Sequence, residues 1–236
     1  SLSPTLFSLM IHDIDKYFEE NGHNRIIKDM EILLFGDDLV IIGSNPMDLQ
    51  EKTDTLFKYC QEKKLEVNIE KTKILECKRT NRKLSNRKIK YDGVEIEKVK
   101  SYTYLGIPFS QNGTFKMATE HFTSKTRMAI GSIWKPLIVT KTNNFEAAKT
   151  LFNAIIKSTM LYDVGIWGLQ YTAEMERVAV EFEKRLLNVP KYTPGYMIRL
   201  ETGRTHLDYD TIKKAFSFCT RLANMREGRL PRKCWE

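Results

Sequence analysis

Apolar residues at Leu6, Phe7, Met10, Ile11, Ile14, Tyr17 and Phe18 recur with a 3.6-residue period, and Ser3 followed by Pro4 supplies a helix start. The spacing predicts one amphipathic helix. After a polar turn, Ile32-Leu33-Leu34-Phe35 and Leu39-Val40-Ile41-Ile42 form two β-prone runs around Gly36-Asp37-Asp38, a tight hairpin with acids at its tip. Asn45 and Pro46 open a second helix with Asp48 in its first turn, an apolar stripe through Leu49, Leu56, Phe57 and Cys60, and Lys63-Lys64 at its end. Leu65, Val67 and Ile69 then alternate as a strand would. From 89 to 109, β-formers around Asp92-Gly93 and Leu105-Gly106-Ile107-Pro108 predict short strands and turns. Beyond Phe115 the pattern turns helical, over 116–134, 145–161, 174–187 and 211–225. A subdomain boundary is expected near 111–113, between a strand-bearing part, 1–112, and a helical part, 113–236.

Composition narrows the class. With 42% apolar and 29% charged residues, and 12 Gly and 7 Pro scattered along 236 residues, the chain is neither collagenous, low-complexity nor wholly disordered. No apolar run approaches the ~18–20 residues of a membrane span. The N-terminal Ser-Leu-Ser-Pro carries neither an initiator Met nor a secretory pattern and reads as a cut end. Cys60, Cys77, Cys219 and Cys234 lack metal-site spacing, so reduced thiols and no disulfides are expected, in a reducing compartment.

The net charge of +8 is concentrated. Lys71, Lys73, Lys78, Arg79, Arg82, Lys83, Arg87, Lys88 and Lys90 face the single acid Glu76 over 71–90, which leaves the rest of the chain neutral. Such a field suits a polyanion, because neutralised phosphates release counterions. A solvated basic loop would show the same composition.

Adjacent aspartates at the tip of an apolar hairpin repel each other unless a cation is shared. Mg²⁺ takes hard oxygen ligands, commonly one or two carboxylates with phosphate and water, and Gly36 before the pair permits close backbone approach. A plain polar β-turn competes, since the same residues favour turns.

The order of motifs adds what no single one carries. Leu2-Ser3-Pro4-Thr5-Leu6-Phe7, Leu33-Leu34-Phe35-Gly36-Asp37-Asp38-Leu39-Val40, Val67-Asn68-Ile69-Glu70-Lys71-Thr72-Lys73 and Tyr102-Thr103-Tyr104-Leu105-Gly106 together resemble a reverse transcriptase palm. The likeness is closest to the RNA-directed DNA polymerases of non-LTR (LINE-type) retrotransposons. It continues through Met160-Leu161-Tyr162-Asp163-Val164-Gly165-Ile166-Trp167-Gly168, Arg185-Leu186-Leu187-Asn188-Val189-Pro190-Lys191 and Arg199-Leu200-Glu201-Thr202-Gly203. The resemblance implies an α+β fold: a partial palm of helix, catalytic hairpin, helix–strand and short strands, followed by an all-helical thumb-like subdomain.

It also implies roles. Asp37 is the expected ligand of Mg²⁺ or Mn²⁺, with Asp38 its less directly involved neighbour; the family's usual Ala-Asp-Asp reads Gly-Asp-Asp here. Ser3, Pro4, Phe35 and Gly36 line the expected nucleotide and template pocket. Lys71 stands near the incoming triphosphate as a general acid or a phosphate-screening charge. Leu105 and Gly106 form the expected primer grip. Lys73, Lys78, Arg79, Arg82, Lys83, Arg87, Lys88 and Lys90 are expected to hold nucleic acid. The partners implied are an RNA template and a DNA primer or RNA–DNA hybrid, with dNTP as substrate.

The family also uses an aspartate from a strand upstream of the Ser-Pro helix, which the sequence lacks; Asp13 and Asp15 sit within the first helix and do not substitute for it. Two readings follow: part of an RNA-directed DNA polymerase, inactive as this chain alone, or a non-catalytic nucleic-acid-binding remnant or domesticated protein. A viral RNA polymerase with a Gly-Asp-Asp motif is a third, against which the motifs after 160 speak. Trp134, Tyr162 and Trp167 are read as core, and the four histidines are assigned no chemistry.

Overall fold

The computed structural model describes residues 3–22, 32–77, 85–139 and 145–236. They form two compact units, one of residues 1–100 with 225–236 and one of residues 101–224.

In the first unit the predicted N-terminal helix is broken into α1 (Ser3–Met10) and α2 (Ile14–Glu20). The break has a tertiary cause. Asp13 accepts hydrogen bonds from Tyr59 Oη at 2.7 Å and Lys63 Nζ at 2.6 Å, and the Ile14 amide donates to the Ile11 carbonyl in a tighter 3₁₀-type bond. Strands β1 (Ile32–Phe35) and β2 (Asp38–Ile41) pair antiparallel, with Ile32 opposite Ile41 and Phe35 opposite Asp38. Helix α3 (Pro46–Lys63) begins where the sequence predicts it: the Asn45 side chain accepts from the Met47 and Asp48 amides.

The strand expected at 65–69 does not form. Leu65, Val67 and Ile69 are half-buried against the core while their neighbours are exposed, so the alternation marks the buried side without a strand. Local turns claim the backbone instead, Leu65 N–H donating to Cys60 and Thr72 N–H to Asn68. Pairing starts later, with β3 (Lys73–Leu75) parallel to β6 (Glu97–Val99), and β4 (Lys90–Tyr91) joined to β5 (Val94–Glu95). Positive φ at both Asp92 and Gly93 gives that hairpin the type I′ turn which matches strand twist. Phe18, Tyr59 and Ile89 are the most deeply buried side chains of this core, and a short C-terminal helix, α11 (Leu230–Trp235), belongs to the same unit.

The second unit starts with the hairpin β7 (Ser101–Tyr104) and β8 (Ile107–Ser110), whose Ile107 is buried among the helices. Then come α4 (Lys116–Val139), α5 (Phe145–Leu151), a π-helical segment (Phe152–Lys157), α6 (Ser158–Met160), α7 (Val164–Trp167) and a 3₁₀ turn (Gly168–Gln170). Helices α8 (Thr172–Leu186), α9 (Gly195–Thr202) and α10 (Leu207–Ala223) complete it. Aromatic stacking organises the core: Phe122 on Trp167 at 5.1 Å and Phe152 on Phe182 at 5.5 Å. Helix α7 approaches α10 closely because Gly165 has no side chain; a Cβ there would lie 2.9 Å from the Lys214 carbonyl. The fold is α+β, with small two-stranded sheets and a helical C-terminal part.

Candidate active-site hairpin and nucleic-acid interface

The acidic hairpin is as tight as its sequence implies. Two residues, Gly36 and Asp37, connect the strands, and Gly36 takes φ +61°, the left-handed value a type II′ turn needs at its first position. Asp37 lies in the turn, whereas Asp38 is the first residue of β2, so the two carboxylates stand on different backbone elements. Both are exposed. Phe35, the aromatic before the turn, is 64% exposed, a large apolar surface left beside the acids.

Behind the hairpin lies a support that the sequence reading missed. Lys52 on α3 is fully buried, and its ammonium donates to the Ile42 carbonyl just past β2 at 2.9 Å while pairing with Asp48 at 3.1 Å. Asp48 also accepts from the Ser44 amide and hydroxyl. Burial works to raise the Asp48 pKa, but the Ser44 and Lys52 bonds outweigh it and hold the carboxylate below its ordinary range. The chain leaving the hairpin is thereby fastened to α3. The signal was a lysine on the apolar side of an otherwise ordinary helix.

Asp37 and Asp38 fit one edge of a magnesium or manganese site, since such ions take one or two carboxylates and complete their shell with phosphate oxygens and water. Among the described residues no group of three or more Asp, Glu, His or Cys gathers to hold a metal. Lys71 is exposed in the turn before β3, where its amide donates to Asn68 Oδ1. Helix α1 begins at Ser3-Pro4, but the side chains of these two lie outside what is described.

The basic segment is only partly in view: Lys78, Arg79, Arg82 and Lys83 fall outside the described residues. Of the others, Lys73 pairs with Glu97 at 2.6 Å and Lys88 with Glu95 at 2.7 Å, while Arg87 and Lys90 are exposed. The pairing acids come from the strands that follow, so counting charge over 71–90 alone overstates the local field. Lys90 is fixed through its backbone, which exchanges two 2.8 Å hydrogen bonds with the Gln50 side chain.

The Leu105–Gly106 turn, in the second unit, is strained. Leu105 has φ +48° and Gly106 φ +81°, the type I′ pattern with a leucine where Asn or Gly is usual. Tyr162 braces it: its hydroxyl donates to the Leu105 carbonyl at 3.2 Å, and a Cβ on Gly106 would meet its ring at 3.7 Å. The ring lies 5.7 Å from Phe122, and the Tyr162 carbonyl accepts from the Trp167 indole. Trp134 and Trp167 are core residues as expected; Tyr162 is half exposed.

The hairpin, its buried support and the segment leading into β3 thus follow one another in one compact unit, and comparison with known families decides what they resemble. Residues 1–109 match the family model of Reverse transcriptase (RNA-dependent DNA polymerase). The reverse transcriptase match takes in the acidic hairpin, α3, Lys71 and the Leu105–Gly106 turn. It spans less than half of the chain, and the helices from α4 onward lie beyond it. Neither the curated proteins nor the solved structures give a match. At the coarse level the matched part is reverse transcriptase-like, a family that works on nucleic-acid template and primer with dNTPs and divalent metal. Among the described residues no helix is long and apolar enough to cross a membrane.

Proposed function

We propose that the chain belongs to the polymerase of a non-LTR (LINE-type) retrotransposon, an RNA-directed DNA polymerase that adds dNTPs to a primer. Residues 1–112 act as palm and 113–236 as thumb. Asp37 binds the catalytic metal, with Asp38 beside it, and Lys71 meets the triphosphate. Phe35, Gly36, Ser3 and Pro4 border the nucleotide and template pocket, the Leu105–Gly106 turn supports the primer, and Arg87 and Lys90 with the rest of the basic segment hold phosphates. The observation that carries this reading is the exposed Phe35-Gly36-Asp37-Asp38 hairpin inside the reverse transcriptase match.

A specific observation favours a second reading for the 236 residues acting alone. Two-metal phosphoryl transfer clamps ions ~3.5–4 Å apart, and the described residues bring no third ligand into a cluster. The chain by itself is therefore expected to bind template and primer without extending the primer. The test is primer extension on an RNA template with Mg²⁺ or Mn²⁺, alongside binding measured across a salt series. Binding that weakens with salt, with no incorporation, is the expected result. Incorporation that disappears in Asp37→Asn would refute inactivity while confirming the metal role of Asp37, and affinity indifferent to salt would remove the nucleic-acid reading altogether.

A further inference from the structure

Helix α9 and the loop before it carry an unpartnered aromatic surface on an ordered base. Tyr192 is 88% exposed, Tyr196 55% and Leu200 80%, with Met197 also exposed between them. Tyr196 and Leu200 are one helical turn apart and so share a face, while Ile198 and Thr202 point α9's other side into the core. The loop is not slack. Thr193 N–H donates to the Pro190 carbonyl, forming a turn that presents Tyr192. Val189 N–H bonds the Lys184 carbonyl, and the Lys184 ammonium caps the Lys191 carbonyl at 2.6 Å. Two prolines, Pro190 and Pro194, flank the exposed tyrosine.

Four large exposed side chains on one short helix and the loop before it mark a contact site, and their surroundings select the partner. Of the four basic side chains between 184 and 203, Arg199 is paired with Glu176 at 3.0 Å, which leaves Lys184, Arg185 and Lys191 against the single acid Glu201. Charge alone would also draw an acidic protein, whereas a nucleic-acid strand brings π-faces for the rings and phosphates for the cations together. We propose that Tyr192 and Tyr196 form a stacking platform for unpaired bases of a single-stranded nucleic acid, with Lys184 and Lys191 supplying phosphate attraction. The site uses none of the residues of the acidic hairpin or the basic segment. It rests on the polymerase reading only in taking nucleic acid as its ligand.

The experiment uses the whole chain and two polyanions, a labelled oligo(dT) and inorganic polyphosphate, which has the charge without the bases. Tyr192→Ala/Tyr196→Ala is expected to weaken oligo(dT) binding by about tenfold or more and leave polyphosphate binding unchanged, while Tyr192→Phe/Tyr196→Phe, which keeps the rings, binds oligo(dT) as the parent does. Both tyrosines are exposed, and an unchanged melting temperature checks that the fold survives. Oligo(dT) affinity unaffected by the alanines, or an equal loss for polyphosphate, overturns the platform. So does a dimer that the alanines dissolve without altering oligo(dT) affinity, which would assign the face to a second copy. If the parent chain binds neither polyanion, the nucleic-acid reading fails with it; if the parent binds both and the alanine variant binds oligo(dT) equally well, the platform alone fails.

Discussion

Arg204 should be the most costly single position in the helical unit to truncate. It follows α9, is nearly buried, and donates to Glu183 at 2.6 and 3.0 Å and to Glu176 at 2.8 and 2.9 Å, with a further bond to the Thr205 carbonyl. Glu176 has other partners, Arg199 at 3.0 Å and the Leu207 amide at 3.0 Å, whereas among the described residues Glu183 is left with the 3.5 Å Thr202 hydroxyl. Breaking a buried pair from one side costs about 3–5 kcal/mol, because a charge is stranded rather than because the bond was strong. For a chain of this size that corresponds to a melting-temperature loss of about 6–20 °C in Arg204→Ala. The pH dependence identifies the mechanism. Burial already pushes the Glu183 pKa up against the pull of Arg204, and without the arginine it rises further above its unfolded value. A group with a raised folded pKa favours the fold below that value and opposes it above, so the deficit of Arg204→Ala should be smaller at pH 5 than at pH 7. Urea denaturation at both pH values measures it, and Glu183→Gln placed in the Arg204→Ala background should recover part of the loss at pH 7. A deficit below about 1 kcal/mol, or one that ignores pH, would refute the stranded-charge argument.

Two other positions test the supports. Gly106→Ala forces a Cβ onto a residue at φ +81° and should cost about 1 kcal/mol or more. Tyr162→Phe, which removes a bond to a partly solvated carbonyl, should cost about 0.5 kcal/mol. Thermal melts decide both, and a neutral Gly106→Ala would mean that the turn relaxes out of the left-handed region. Asp13 is held at about 2 by the Lys63 hydrogen bond and, after it, the Tyr59 bond. Its folded pKa lies below the unfolded value, so its contribution is present above about pH 4 and lost as the pH falls through 2. A carboxyl titration followed by NMR with a midpoint in the ordinary range would contradict the geometry.

Much of this was legible where chemistry is local. A glycine before two acids between β-prone runs gave the hairpin, Asn45-Pro46 gave the start of α3, and Asp92-Gly93 gave a turn between short strands, because each depends on side chains within a few residues of one another. The break in the first helix was hidden, since the groups that draw on Asp13 lie 46 and 50 residues away on α3. Leu65, Val67 and Ile69 revealed their burial but not their backbone, because period-2 alternation reports which side faces the core and says nothing of a partner strand. The same limit applied to charge. Glu95 and Glu97 reach Lys88 and Lys73 only after the sheet brings them there. Helix α9 escaped notice because eight residues with a small inward face leave a weak periodic signal.

The exposed groups to which chemistry is assigned stand in front of buried or braced polar ones. The acidic hairpin leads into a backbone fastened by buried Lys52, the strained Leu105–Gly106 turn is tied by the Tyr162 hydroxyl, and α9 is bound to α8 through Arg199, Arg204 and two buried glutamates. Burying ions is a poor route to stability, since desolvation can outweigh their attraction, and apolar residues of similar volume often serve as well. What an ion pair supplies that apolar contact does not is direction: each hydrogen bond fixes its donor near a lone pair of the accepting oxygen. A surface that must offer carboxylates to a metal, or rings to bases, needs its backbone set to within a fraction of an ångström. That requirement accounts for buried Lys52 and the Arg204 cluster better than stability does, and it separates the two in experiment. Lys52→Met, which keeps the volume and drops the charge, should leave the fold standing while the hairpin loses its register with α3.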